Sequence, residues 1–273
     1  MKPRNFQRWR AALINLGAVV LLLGGASLLP PDTSLGDRRD AGVLKLCVPQ
    51  SFPPLVTRDA AAPGYDVELA MRIADEMGLR LQINTLPSIG RDYNPRNWSL
   101  TRAQCDLVGG GVADSAQTRS FLQTVPTRSR TGWIGLSATG TMPPPGSVVA
   151  VLPGTSGLNR VALSTWLRSQ DLQARLVRDA TELTGALESG AAAAAITERF
   201  LATSIEIDPN AFRPFWLNAE GLAPVPMALG LWKGDQTLKR AVDDAVATLE
   251  SNGQLETLRD RYGVDADITF TNP

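Results

Sequence analysis

A strand, a proline-rich loop, an amphipathic helix and a second strand are predicted in succession between residues 44 and 83. Leu44–Val48 is apolar enough for a buried strand, and the Ser-Phe-Pro-Pro-Leu segment 51–55 then breaks the chain. From Gly64 to Gly78 the apolar residues follow helical spacing, with Asp66 placed to cap the first turn. Leu79–Ile83 is the second strand. This unit predicts an α/β fold with parallel strands.

The alternation of strands and helices continues through the rest of the chain. Thr139–Gly146, with three consecutive prolines, separates the first α/β series from a second one. Apolar residues from Leu238 to Leu249 keep helical spacing up to a stop at Gly253. With 273 residues, 44% of them hydrophobic, the chain can bury one large core or two modest ones. Further strands are predicted at 105–108, 132–137, 148–152, 173–177, 192–197 and 227–232, and further helices at 158–169 and 180–189.

The composition excludes several classes of function. Basic residues and acidic residues each number 27, so the net charge does not favour nucleic acid as a partner. The chain contains no histidine, which excludes histidine-based catalytic triads and zinc-hydrolase sites. Because Cys-x-x-Cys spacing is also lacking, we expect no metal site and no cofactor.

The first 35 residues are predicted to direct export to the periplasm. Residues 11–29 form an uncharged apolar run that follows four basic residues, Lys2, Arg4, Arg8 and Arg10. The run is long for the core of a cleaved signal peptide and approaches the roughly 20 residues of a transmembrane helix. Residues 1–35 are therefore a signal peptide or an anchor in the inner membrane, and the length favours the anchor. Residues 36–42, which are mostly polar, are predicted as a linker.

Cys47 and Cys105 lie in or beside two strands that we expect to be close together. Disulfides are common in exported proteins, so a bond between these two cysteines is predicted. Two buried free thiols remain the alternative.

The order of strand, Phe-Pro-Pro loop, Gly-Tyr-Asp-x-Glu-Leu-Ala helix and strand resembles the start of the family 3 extracellular solute-binding proteins. The C-terminal part is similar to the same family in Lys233-Gly234-Asp235, Ala241-Val242, Gly253 and Arg261-Tyr262-Gly263. The resemblance implies a two-lobed periplasmic-binding-protein fold of type II with two crossing hinge strands. Lobe 1 would comprise residues 43–137 and 232–273, and lobe 2 residues 138–231.

The resemblance also implies a carboxylate-binding arginine in the first lobe. In the family a Gly-Gly strand end is followed by a Thr-Pro-Glu-Arg segment whose arginine binds the carboxylate of the ligand. Arg119 is the match here, with Ser115 as a nearby hydroxyl donor, although the spacing is one residue longer. Arg128 and Arg130 are the alternatives, and Arg119 could also be an ordinary solvated residue.

Three further groups are predicted to line the solute site. Thr155 and Ser156 lie between a strand and a helix, where free N–H groups can hold an anion or the side chains can simply cap the helix. Glu198 stands where the family usually has an aspartate for the ligand ammonium. Phe52 matches a residue that packs on the ligand side chain, and Tyr93 and Trp98 are placed in a loop facing the same cleft.

The resemblance implies a binding protein rather than an enzyme. It would act as a monomer, bind an amino acid or similar small carboxylate-bearing solute, and present it to the permease of an ABC importer in the inner membrane. Two alternatives remain open. One is an accessory protein of a periplasmic quinoprotein dehydrogenase system, since a branch of the fold has cysteines placed like Cys47 and Cys105. The other is an enzyme similar to cyclohexadienyl dehydratase, with Asp114 and Glu198 as candidate carboxylates.

Overall fold

The N-terminal helix α1 (Arg4–Ser27) belongs to a unit of its own. The structure, a computed structural model, describes residues 4–27, 31–89, 95–153, 158–202, 205–208 and 210–264. Met1–Thr33 forms one unit and Ser34–Pro273 the other. Among the described residues, no helix combines the length and the apolar character needed to cross a lipid bilayer. The prediction of a transmembrane helix at 11–29 is therefore not supported.

The strands of the second unit form two sheets with the same pattern of directions. In each of these five-stranded sheets of the described chain, three neighbouring strands are parallel and the fourth is antiparallel to them. The fifth strand is antiparallel to the fourth and therefore has the same direction as the first three. The first sheet has the order β2 (Arg80–Thr85), β1 (Val43–Val48), β3 (Leu107–Val108), β10 (Val225–Trp232), β4 (Leu122–Thr131). The second has the order β7 (Gln173–Leu176), β6 (Val148–Leu152), β8 (Ala194–Glu198), β5 (Trp133–Ser137), β9 (Arg213–Trp216).

The chain passes between the sheets twice. It leaves the first sheet through β4, which continues across Gly132 into β5, and it returns from β9 through residues 217–224 into β10. β5, expected in lobe 1, thus pairs in the second sheet, and β10, expected in lobe 2, pairs in the first. The difference arises because β4 and β9 were not predicted from the sequence. β4 contains Pro126, which a strand tolerates at a sheet edge, the position that β4 occupies.

Helices cover both sheets and bury separate cores. The first sheet is covered by α2 (Ser34–Ala41), α3 (Tyr65–Glu76), α8 (Gln236–Ser251) and α9 (Gln254–Tyr262). The second is covered by α5 (Arg160–Ser169) and α6 (Ala180–Glu188). Two short helices, α4 (Ala116–Phe121) and α7 (Arg199–Ala202), lie beside the crossings.

The residues predicted as a linker form most of helix α2. Asp37 in its first turn and Arg38 and Arg39 in its last turn suit the helix dipole. At its start the Ser34 hydroxyl is 3.1 Å from the hydroxyl of Thr237, close to the start of α8. The polar composition that indicated a linker is therefore that of a surface helix attached to the first sheet's side of the molecule.

Tyr65 connects helix α3 to the strand that leads to the second sheet. Its side chain is fully buried and its hydroxyl donates a hydrogen bond to the carbonyl of Thr127 in β4. Substituting Tyr65→Phe leaves that buried carbonyl without this donor, so we expect a loss of about 1–3 kcal/mol in the free energy of unfolding. Urea denaturation measures it, and an unchanged midpoint would show that the bond contributes nothing.

Candidate functional site

The carboxyl ends of β1 and β3 meet at one edge of the first sheet. These two strands are parallel, so the loop after β1, which contains Phe52, lies beside the Gly109–Gly111 loop after β3. In open α/β sheets this edge is where ligands bind. The candidate site is built from these two loops, from α4, and from the end of β8.

The Gly109–Gly111 loop requires glycine because it is threaded between side chains. Gly110 and Gly111 have φ angles of 77° and 109°, which other residues rarely adopt. A Cβ on Gly110 would lie 2.4 Å from Cδ of Pro49, and one on Gly111 would lie 3.1 Å from the ring of Phe52. The loop therefore has little freedom to move toward β1.

Asp66 of α3 also contacts this loop. The predicted role of Asp66 as the helix cap is wrong: Gly64 is the N-cap of α3, and no side chain among the described residues makes a cap bond there. The carboxylate is buried and its Oδ2 accepts the N–H of Gly110 at 2.7 Å. Burial raises the pKa of Asp66 to about 7, against the opposing effect of the N–H groups of Gly110 and Gly111. Asp66 thus connects helix α3 to the glycine loop of the candidate site.

Phe52 lies in the core rather than on an open surface. It is 7% exposed, and its ring meets that of Phe200 edge-on with centroids 6.4 Å apart. Phe200 belongs to α7, directly after β8 of the second sheet, yet it packs in the hydrophobic core of the first sheet. The two rings therefore join the two halves of the molecule at the candidate site.

Arg119 lies on α4 with its side chain partly exposed. Ser115 caps this helix by accepting the N–H of Thr118, and Arg119 follows one residue later. In the Thr-Pro-Glu-Arg pattern of the family, the arginine is the third residue after the threonine. In this chain Thr118 is the third residue after Ser115 and Arg119 is the fourth. Arg119 therefore lies about 100° further round the helix than the arginine of the pattern would. Its Nη1 donates to the carbonyl and the Oδ1 of Asp114, at 2.9 and 2.7 Å, and its side chain is 52% exposed. Thr124 of β4 donates to the same Oδ1 at 2.7 Å.

Glu198 is fully buried where β8 ends. Thr131, at the end of β4, donates its hydroxyl hydrogen bond to Oε1, and the N–H of Leu201 donates to Oε2 at 3.0 Å. Burial raises the pKa of Glu198, while these donors oppose the rise. The next residue, Arg199, donates from Nη1 to the carbonyl of Arg130 at 2.7 Å. The side chains of Glu198 and Arg199 thus connect the end of β8 to the end of β4, where the chain first crosses between the sheets.

Of the other residues predicted for the site or the disulfide, some are buried in the core and others lie outside the described residues. Thr155, Ser156 and Tyr93 lie outside the described residues. Trp98 is buried in a cluster with the two cysteines. Cys47 and Cys105 form the predicted disulfide, with Cα atoms 5.4 Å apart.

The structure brings the predicted residues into two groups. Ser115 and Arg119 lie together on α4, and Phe52 lies with Phe200, two residues after Glu198. Asp66 and Phe200 were missed as site residues. An acidic residue next to a predicted helix start is a weak signal for the first, and an apolar residue after Glu198-Arg199 is a weak signal for the second. In the described part of the chain, no group of three acidic or cysteine side chains is arranged for a metal.

A pocket of about 430 Å³ also opens among the helices that cover the first sheet, between α3 and α9. It is lined by charged side chains, including Glu68, Arg72 and Arg261, which bind one another. It lies apart from the strand ends described above.

Comparison with solved structures confirms the two-lobed type II periplasmic-binding-protein fold. An ancestral cationic amino acid solute-binding protein matches with a TM-score of 0.63 at 16% identity, over 84% of this chain and 99% of that one. The substrate-binding protein of an ABC uptake transporter from Streptococcus pneumoniae, solved with bound histidine, matches with a TM-score of 0.64 at 14% identity, over 87% of this chain and 98% of that one.

Sequence comparison identifies one curated relative and the family. Cyclohexadienyl dehydratase from Pseudomonas aeruginosa is 28% identical over 95 residues, which are 33% of this chain. The match spans about a third (34%) of the length of that relative. The model of the bacterial extracellular solute-binding proteins, family 3, matches residues 44–265. The chain therefore belongs to family 3 of the bacterial extracellular solute-binding proteins.

Proposed function

We propose that this protein binds a small carboxylate-bearing solute of the amino acid type between its two sheets and presents it, in the periplasm, to the permease of an ABC importer. The observation that carries the proposal is the incomplete hydrogen bonding of the Arg119 guanidinium group. Only its Nη1 is engaged, so among the described residues its Nε and Nη2 have no partner. A guanidinium with donors to spare is suited to a carboxylate, which it can bind with two hydrogen bonds.

The two crossings support a mechanism of hinge closure. Residues 131–133 and 217–224 connect two bodies that each have their own hydrophobic core. Rotation at these crossings would open and close the space between the sheets around a solute. One chain contains both sides of that space, so we propose that it acts as a monomer. The neighbouring structures, which include amino-acid-binding proteins, are consistent with this class of solute.

Arg119→Ala is expected to weaken solute binding about 10- to 100-fold, because a hydrogen-bonded charge pair contributes about 1.5–3 kcal/mol. Isothermal titration calorimetry with L-arginine, L-glutamate, L-histidine and succinate measures it. Arg128→Ala is the matched control, since Arg128 pairs with Glu250 on the exposed side of α8. Loss of binding in Arg130→Ala instead would move the carboxylate site to that residue. Wild-type protein that binds none of the solutes would contradict the proposal and favour the accessory role.

A dehydratase activity is the second candidate, favoured by the similarity to cyclohexadienyl dehydratase and by Glu198. Burial raises the pKa of Glu198, and a carboxyl group with a raised pKa is suited to act as a general acid. Incubation with prephenate, followed by absorbance of the aromatic product, tests this candidate. Turnover that disappears in Glu198→Gln would support it, whereas no turnover leaves the binding protein as the better proposal.

A further inference from the structure

We propose that Asp66 is a positioning residue that holds the Gly109–Gly111 loop in its binding conformation, and that solute affinity therefore rises when Asp66 loses its proton. The inference rests on the proposed function, because it concerns the first sheet's side of the same solute site. Its basis is the geometry around one buried carboxylate.

The carboxylate of Asp66 contacts the loop directly and has one oxygen to spare. Oδ2 accepts the N–H of Gly110, and the N–H of Gly111 also stabilises the charged form. Oδ1 is buried and, among the described residues, makes no hydrogen bond. A charged acceptor strengthens both N–H contacts. A proton on the carboxyl group would weaken them and would itself lack an acceptor.

The loop can respond only by moving away from β1. Pro49 and Phe52 block Gly110 and Gly111 on that side, at the distances given above. Weaker contacts with Asp66 would therefore let the loop move toward the space between the sheets. Two residues later Ala113 pairs with Met227, and Asp114 then holds Arg119, so the loop and the arginine belong to one continuous segment.

The pKa of Asp66 is determined by its burial and by its contacts with the glycine loop. From β1 and β10 the neighbouring side chains are apolar, Leu46 and Leu229, which share the contact with Gly109. Tyr65 precedes Asp66 in α3, and burial raises its pKa far above its usual value. The cations on the adjacent elements, Arg128 of β4 and Arg259 of α9, act on Tyr65. Burial and the two glycine N–H groups are what set the pKa of Asp66 near 7.

The test combines an NMR titration of the free protein with calorimetry, using wild type, Asp66→Asn and a control. Asp106→Asn is the control: Asp106 is also buried and accepts a backbone N–H, from Lys45 at 2.8 Å, but it lies at the opposite end of β3. L-Arginine and L-glutamate are the probes, because neither side chain changes charge between pH 6 and pH 8.

In wild type and Asp106→Asn, we expect the amide signals of Gly110 and Gly111 to titrate with a midpoint near pH 7. We expect at least one probe to bind about 3- to 10-fold more tightly at pH 8 than at pH 6. In Asp66→Asn the glycine amides should not titrate and the affinity ratio should be close to one.

Glycine amides that titrate alike in wild type and Asp66→Asn would overturn the inference, and so would equal affinity at the two pH values in wild type. Binding with no pH dependence would leave the proposed function intact. Binding of neither probe, nor of any other solute in the panel, would overturn both the proposed function and the effect on affinity. The amide titration would then still decide whether Asp66 positions the loop.

Discussion

Removal of the Cys47–Cys105 disulfide is expected to lower the free energy of unfolding by about 4 kcal/mol. The bond joins β1 to Cys105, two positions before β3, and closes a loop with a sequence separation of 58. In the chain-entropy model, a loop of this length restricts the unfolded chain by about that amount. The loop includes α3 and the Phe52 segment, so the bond stabilises the part of the first sheet that carries the candidate site.

Two measurements separate the cross-link from the packing of the two side chains. Urea denaturation of wild type with and without a reducing agent reports the cross-link alone. The double variant Cys47→Ala, Cys105→Ala adds the cost of removing two buried sulfur atoms. A denaturation midpoint that reduction does not change would contradict the expected contribution of the bond.

The second large effect is a loss of stability as pH rises, caused by Asp66. Burial raises the pKa of its carboxyl group to about 7 in the folded protein, so the folded state binds this proton more tightly than the unfolded state does. The contribution is fully present below pH about 4 and is lost as pH rises through about 7. Between pH 5 and pH 8 we expect it to decrease by about 2–3 kcal/mol.

The difference between wild type and Asp66→Asn isolates this contribution. Burial also raises the pKa of Asp106 and of Glu198, and both act in the same direction in the two proteins. Glu68, whose pKa is lowered with the help of Arg72, acts in the opposite direction in both. Urea denaturation at pH 5 and pH 8 should show that wild type loses more stability than the variant. An equal loss in both would contradict the assignment to Asp66.

The apolar strands and amphipathic helices were predictable because their own residues determine them. β1, α3, β6 and α8 lie within a few residues of their predicted positions, since each has an apolar pattern that fits one kind of element. β4 was missed because polar residues alternate along it and a proline interrupts it. Its strand conformation depends on pairing with β10, which lies about 100 residues further along the chain.

The candidate site was less predictable because its contacts join distant residues. Asp66 and Gly110 are 44 residues apart, and helical spacing gave no indication that the side chain would reach the loop instead of capping its helix. Phe52 was expected to face a solute, but its partner is Phe200, which the second sheet supplies. Arg119 was identified from a family pattern, and only the start of α4 shows how far round the helix it lies.

The crystal structure of the protein with a bound solute tests the central claim most directly. Using the solute that calorimetry finds to bind most tightly, we predict electron density between the two sheets, with a carboxylate oxygen within hydrogen-bonding distance of Arg119 and the solute beside the Gly109–Gly111 loop. A solute found instead in the charged pocket between α3 and α9, with the space between the sheets empty, would contradict the account.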